Sequence, residues 1–363
     1  MSRFTIDNIG VIREEGNSYI VDSDAFAEFL RVLLNQAGVP EADARVVSDS
    51  LVEADLRGMN SHGIIRLPVY IRRLRAGGFK ADAVPEVIRE SDGVALLDGK
   101  NGLGSVMTMR AMSIAIEKAK TQGIAACGVT NSNHNGEGAF YVQEAIRHDM
   151  IGMSFTTGSP IMPVWGGTTP LTGPLPITVG VPADKEHPIV LDAALGMSSR
   201  GKILDYLAQG KELPPGWIVD ANGEPTTDPK WVNEGGWILP IGGHKGWGLI
   251  VICEMLAAVL TGSGVGKELV NLYDDVDTPQ GNGQFVIAID VSHFMPVNMF
   301  KSRVDNYIKM VKSSDKAEGV EEIILPGEKE FKNRERAKLD GMKLTKSVLD
   351  EVISEARIVG VFQ

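Results

Sequence analysis

Apolar residues in the first quarter of the chain recur at helical spacing. Phe26, Phe29, Leu30, Leu33, Leu34 and Ala37 fall on one face behind the capping candidates Asp22 and Ser23, and Gly38 ends the run, which predicts a helix. Pro40 suits a first helical position, and Val46, Val47, Leu51 and Ala54 continue one face until Gly58 breaks it. Residues 58–63 are polar and read as a flexible connection. A third helical stretch passes through Arg66, Tyr70, Leu74 and Arg75 to Gly77 and Gly78; Pro68 must start or kink it, because proline cannot donate to the preceding turn.

From Val94 onward the pattern changes. Short apolar runs at 94–97, 124–130 and 151–156 alternate with helical stretches at 105–121 and 138–147, the signature of β-α-β units and an α/β fold with a largely parallel or mixed sheet. Further strands are expected at 177–181, 189–191 and 285–291. Helices are expected from Ser198 or Ser199, up to Leu260, at 297–311 and at 346–356. Residues 159–182, rich in Gly, Pro and Thr, read as a binding loop, and 214–229 as turns.

Length and composition narrow the classes. A chain of 363 residues predicts two lobes, or one large α/β domain with an appended subdomain. With 43% hydrophobic and 23% charged residues it is not a disordered, collagenous or rod-like chain. Asp and Glu outnumber Lys and Arg by 47 to 36, and the resulting charge of -11 argues against nucleic acid as a partner. The longest apolar run, 247–260, is interrupted by Glu254 and is too short for a bilayer, and residues 1–10 hold no signal-type apolar core, so a cytoplasmic protein without a membrane partner is expected. Cys127 and Cys253 sit in apolar stretches and read as inert core thiols.

Four groups of residues carry candidate chemistry. Ser61-His62-Gly63 with Arg66 and Tyr70 would share a face if helical; Arg66 would clamp a carboxylate and His62 would donate or carry a proton, although a surface arginine and a capping histidine explain the spacing equally well. His134 lies between asparagines and glycines at the carboxyl end of a predicted strand, where open α/β sheets bind ligands, and is the candidate general acid/base. Lys245, in a Gly-rich turn, and Ser198-Ser-Arg-Gly-Lys202, with Arg200 and Lys202, stand at helix starts that favour an anion; two such starts in an acidic protein suggest a phosphate-bearing cofactor over solvated helix ends. His148, His187 and His293 read as solvated or turn residues. There is no GxGxxG after a strand, no P-loop, no HExxH or Cys/His/Asp metal cluster and no GxSxG, so a usual Rossmann site, a metal centre and a serine hydrolase are disfavoured.

Several motifs in one order resemble the type-2 malate/L-lactate dehydrogenases: Asp55-Leu-Arg-Gly-Met-Asn-Ser-His-Gly63 with Arg66-Leu-Pro-Val-Tyr70, Asn131-Ser-Asn-His134, Ser199-Arg-Gly-Lys202, Pro215-Gly-Trp217 with Asp220 and Pro225-Thr-Thr-Asp-Pro229, Gly242-Gly-His-Lys-Gly246, and Leu325-Pro-Gly-Glu328. The resemblance covers nearly the whole chain. It implies an NAD(P)-dependent oxidoreductase of 2-hydroxy or 2-keto acids, with malate, lactate, sulfolactate and ureidoglycolate-like compounds all admissible and a lean to NAD over NADP. It also implies a homodimer with sites near the subunit interface and a non-Rossmann, mixed-sheet dinucleotide-binding domain at 86–328 beside a helical substrate and dimerisation domain at 20–85 with 329–363. By motif, His134 and His62 become the catalytic candidates. Ser61, Arg66 and Tyr70 become substrate-binding, and Ser159, Asp192, Arg200, Lys202, His244, Lys245, Pro326, Gly327 and Glu328 cofactor-contacting. Asn135 stands where the family often has an aromatic residue and Gly173-Pro174 where it often has Asn-Pro, which implies a more polar substrate pocket; His244 occupies a position that varies in the family. A dinucleotide-binding protein of the same fold without turnover is the alternative; a metal-dependent hydrolase is a minor third.

Overall fold

The computed structural model describes residues 4–363. A hairpin, β1 (Val11–Glu15) and β2 (Ser18–Val21), leads into α1 (Ser23–Gln36), α2 (Glu41–Leu56) and α3 (Leu67–Ala76). Asp22 caps α1 by accepting from the amides of Asp24 and Ala25, a contribution of about 1 kcal/mol. Proline starts α3 rather than kinking it, since Pro68 sits in its first turn.

The chain then runs through β3 (Glu86–Glu90), β4 (Val94–Asp98), α4 (Gly104–Gln122), β5 (Ile124–Ser132), α5 (Ala139–Arg147) and β6 (Met150–Thr156). Next come β7 (Met162–Pro163), β8 (Pro170–Thr172), β9 (Pro176–Val181), β10 (Ile189–Ala194) and α6 (Arg200–Ala208). A small sheet follows, of β11 (Ile218–Val219), β12 (Pro225–Thr226) and β13 (Trp237–Ile238), within the stretch expected to hold only turns and just beyond it. The chain ends with α7 (His244–Glu254), β14 (Asn282–Asp290), α8 (Val297–Lys312), α9 (Glu328–Asp340), β15 (Met342–Thr345) and α10 (Lys346–Ile358).

The main sheet has seven strands in the order β10-β9-β6-β14-β5-β4-β3 and is mixed: β4 and β5 are parallel neighbours, and every other pair is antiparallel. The long β14 inserts between β5 and β6, so the two strands of the β5-α5-β6 crossover run parallel without touching. A second sheet, β1-β2-β15, ties the C-terminal segment to the first lobe.

Two apolar layers cover the main sheet. On one face α4 and α5 share a core with α1, α2, α3 and α10, through Phe26, Phe29, Leu33, Met112, Ile116 and Val352. On the other, Ile250, Cys253 and Ala257 of α7 and the turn after it pack on Phe155, Met153 and Ile177. Both cysteines are buried and free, and burial pushes their thiols up to about 12 for Cys127 and about 11 for Cys253, so neither is a nucleophile at neutral pH. No helix among the described residues is long and apolar enough to cross a membrane.

One close approach fixes the active edge of the sheet. A Cβ on Gly104, at the start of α4, would lie 2.0 Å from the Asn133 carbonyl oxygen and 2.5 Å from that of His134, so only glycine lets α4 begin directly beneath this loop.

Candidate active site

Strand β5 ends at Ser132, opposite Asn282 at the start of β14; β6 ends at Thr156, opposite Gln284. β9 begins at Pro176, opposite Ala194 at the end of β10. The loops carrying His134, Ser159 and Gln280 therefore leave the same edge of the sheet. The Ile241 amide donates to the Leu195 carbonyl at 2.8 Å, which brings the entry to α7 to that edge as well.

Residues 58–66 are not a loose connection. They form two 3-10 turns, Asn60–His62 and Ile64–Arg66, and the Asp55 carboxylate holds them by accepting the Ile64 amide at 2.7 Å. A Cβ on Gly63 would come 2.2 Å from Asp55 Oδ2, so the carboxylate occupies the space a side chain would need. Burial pushes this carboxyl up to about 7, against the hydrogen bond from Ile64. His62, Arg66 and Tyr70 thus do not share one continuous helical face; Gly63, at φ -91° and ψ -146°, breaks it. They converge through tertiary contacts instead.

His134 and Tyr70 form the centre. The Tyr70 hydroxyl lies 2.6 Å from His134 Nδ1, and the His134 amide donates to Gln280 Oε1 at 2.9 Å. The His62 ring stacks on that of His134 with centroids 5.8 Å apart and 20° between planes, and Ser61 Oγ lies 2.9 Å from His62 Nδ1. Arg66 donates through Nε to the Ser61 carbonyl at 2.6 Å and through Nη1 to the Tyr273 hydroxyl at 2.5 Å. Burial, then the Arg66 guanidinium, pull His62 down to about 4; burial, Arg66 and His62 hold His134 well below the usual histidine range. Both rings are therefore neutral at neutral pH, as a proton acceptor requires. Burial raises the Tyr70 phenol, so it stays protonated.

The sequence places Tyr70 on the substrate; the structure buries it, 2% exposed, behind His134. Asn135 does not make the pocket more polar. It is 2% exposed and its amide donates to Thr108 Oγ1 at 3.3 Å, inside α4, while its carbonyl accepts the Tyr141 hydroxyl.

The cofactor candidates separate into two groups. Asp192, Pro326 and Gly327 line one cleft of about 450 Å³ with Arg57, Glu137 and Lys329. Asp192 caps α5, accepting the Ala139 amide at 2.7 Å and the Thr178 hydroxyl at 2.9 Å. Beside it Arg57 and Glu137 form a buried ion pair at 2.9 Å, with side chains 1% and 2% exposed. Burial pushes Glu137 up to about 7, opposed by Arg57, and raises Asp192. Glu328 turns away from this cleft: its carboxylate bonds Lys312 at 2.5 Å and Lys332 at 2.8 Å, and although burial works against it these ammonium groups hold it down to about 2. Ser159 is half-buried in its loop, while His244 and Lys245, in the first turn of α7, and Arg200 and Lys202, in that of α6, are exposed. His244 lies against Trp165, Arg200 donates to Asn233 at 2.9 Å, and Lys202 sits 5.0 Å over the Trp217 ring. The segments leading into α6 and α7 meet at an antiparallel Gly196–Pro240 bridge.

Sequence reasoning missed Tyr273, Gln280, Arg57 and Glu137. Arg57 lies inside a quoted motif, and Glu137 three residues after His134, but nothing in their spacing announces a buried pair. Among the described residues no group of three or more His, Cys, Asp or Glu side chains could hold a metal ion.

Comparison with known proteins shows the family. Residues 21–353 match the Malate/L-lactate dehydrogenase family. The chain is 37% identical over 351 residues to a malate dehydrogenase of Pyrococcus abyssi, covering 94% of this chain and 95% of the relative. It is 29% identical over 338 residues to a ureidoglycolate dehydrogenase (NAD(+)) of Escherichia coli, covering 93% and 95%. The solved sulfolactate dehydrogenase of Methanocaldococcus jannaschii superimposes with a TM-score of 0.90 at 36% identity, over 94% of this chain and 98% of that one. The chain belongs to the malate/L-lactate dehydrogenase family.

Proposed function

We propose that the protein moves a hydride between a nicotinamide dinucleotide and C2 of a small 2-hydroxy or 2-keto acid, with His134 exchanging the proton on the C2 oxygen. The observation that carries this reading is the Tyr70–His134 contact at 2.6 Å. With Nδ1–H donated to Tyr70, Nε2 is the nitrogen left to take the alcohol proton in oxidation. In reduction the imidazolium donates from Nε2 and keeps its bond to Tyr70. Arg66 anchors the carboxylate, and His62, stacked on His134 and bonded to Ser61, shields and orients the proton carrier.

A bound nicotinamide cofactor would supply the hydride acceptor for oxidation and the hydride donor for reduction, and the cleft beside Asp192 fits one end of it. Arg57 and Glu137 line this cleft, and Arg57 Nη1 and Glu137 Oε2, one donor and one acceptor, are buried without partners. Asp192, Pro326 and Gly327 would hold that end, and Ser159, His244 and Lys245, with Arg200 and Lys202 beyond them, the charged middle. The carboxylates of Asp192, Glu137 and Glu330 outnumber the Arg57 and Lys329 cations that line the cleft, which supports NAD over NADP.

The single parallel strand pair supports a non-Rossmann cofactor domain at 86–328, and the β2–β15 pairing supports a helical unit of 20–85 with 329–363. The exposed apolar residues Leu249, Ile252, Val259 and Leu260 along and just beyond α7 support a homodimer, and two free thiols support a cytoplasmic setting. Sedimentation equilibrium checks the dimer.

The test of the reaction is reduced-nicotinamide absorbance with the purified protein, NADH and NADPH in parallel, and 2-keto acids corresponding to malate, lactate, sulfolactate and ureidoglycolate. Oxidation with at least one acid, faster with NADH, is expected. Silence across the panel alongside demonstrated cofactor binding would instead make this a binding protein of the same fold.

A further inference from the structure

We propose that Tyr273 is the second half of the carboxylate clamp, donating its phenol O–H to the acid group that Arg66 binds. This rests on the reading of Arg66 given above. Arg66 spends Nε on the Ser61 carbonyl and one Nη1 hydrogen on the Tyr273 oxygen, and its guanidinium lies 5.4 Å over the Tyr273 ring. A phenol oxygen that accepts from a guanidinium turns its own proton away from that N–H. An acid approaching the remaining Nη hydrogens meets a second donor on the same side, carried by a residue that is 51% exposed and open to a ligand.

Tyr273 is also held at a set distance from the proton carrier. Arg73, fully buried, donates to the carbonyls of Leu272, Asn271 and Asp274 at 2.7 Å and of Thr278 at 2.8 Å, fixing the backbone on both sides of Tyr273. The same loop ends at Gln280, whose side chain accepts the His134 amide and whose own amide donates to Asn133 Oδ1 at 3.2 Å. Arg66, Tyr70 and Arg73 all extend from α3 or the turn before it. One short helix and one loop therefore fix the clamp and the histidine relative to each other.

Tyr273→Phe tests this, because it keeps the ring beneath the guanidinium and removes only the hydroxyl. The KM for the 2-keto acid that wild type turns over fastest should rise roughly tenfold or more, while kcat falls less than about threefold. The NADH dissociation constant, read by fluorescence titration, should stay at the wild-type value. In an Arg66→Lys background the same change should add little, because the two side chains act on one group. A wild-type KM in Tyr273→Phe, an equal loss in the Arg66→Lys background, or a matching loss of NADH affinity would each overturn the proposal and leave the reaction intact. A wild-type protein silent on every 2-keto acid would overturn the reading of Arg66 and this proposal together.

Discussion

The sheet edge around His134 and the outer side of α7 both present histidine, cationic and aromatic side chains, but the chain finishes them differently. Around His134 the rings and the guanidinium find partners from the chain itself: Tyr70 on one histidine, Ser61 on the other, Ser61 and Tyr273 on Arg66. At α7, Lys245 and His244 stand in solvent, and Leu249 and Ile252 face outward. A proton carrier must sit within a fraction of an ångström of its target, so its supports are built in advance. A cation that greets a charged ligand keeps its hydration until the ligand arrives, because burying it unpaired would cost several kcal/mol. The first region should therefore answer to mutation in rate, and the second in affinity.

The largest expected effect is on turnover at the proton carrier. His134→Asn should lower kcat by roughly 100- to 10,000-fold with cofactor affinity unchanged; steady-state kinetics with a separate NADH titration reads both. If His62→Asn shows the larger loss, the two histidines exchange roles. A smaller effect concerns stability. His62 has a folded-state pKa of about 4 against an ordinary 6.5, so between those values the unfolded chain binds more protons and stability falls as pH drops from 6.5 toward 4. Asp55 and Glu137, both raised to about 7, act in the opposite sense, losing stability as pH rises through that window. The difference between wild type and His62→Asn isolates the histidine, and denaturant midpoints at either end of the window should show it as on the order of 2 kcal/mol. The smallest effect sharpens the contrast: Lys245→Ala should raise the cofactor KM about tenfold, leave kcat near wild type, and lose its effect at high salt. A kcat effect as large as that at His134 would place Lys245 in the chemistry.

Much of this was legible because the apolar pattern and the motifs report local structure. The helix behind Asp22, the β4-α4-β5-α5-β6 run and the position of His134 after a strand all follow from spacing within a few residues. The hairpin β1-β2 escaped notice because β1 is almost wholly exposed and carries no alternation. Helix α9 escaped because one buried side chain, Glu328, lies among thirteen mostly polar residues. Within the site, the hidden parts are contacts between distant segments. Tyr273 meets Arg66 across 207 positions and Gln280 meets His134 across 146; no period or motif encodes such pairs. Tyr70 was found but misplaced, since a phenol near an arginine reads as a ligand contact until burial shows it behind the histidine.

Arg66 has a consequence for how the reaction answers to acidity. Its charge helps keep both histidines unprotonated, and on the proposed site a bound carboxylate cancels that charge. Either acid brings the same carboxylate and eases protonation of the imidazole alike, while burial, the larger cause, still holds the ring neutral until the reaction itself calls for the proton. Ambient acidity would act as a co-substrate: each oxidation releases one proton and each reduction consumes one, so alkaline conditions favour the keto acid and acidic ones the hydroxy acid, and Arg66 tunes only how readily the ring carries that proton.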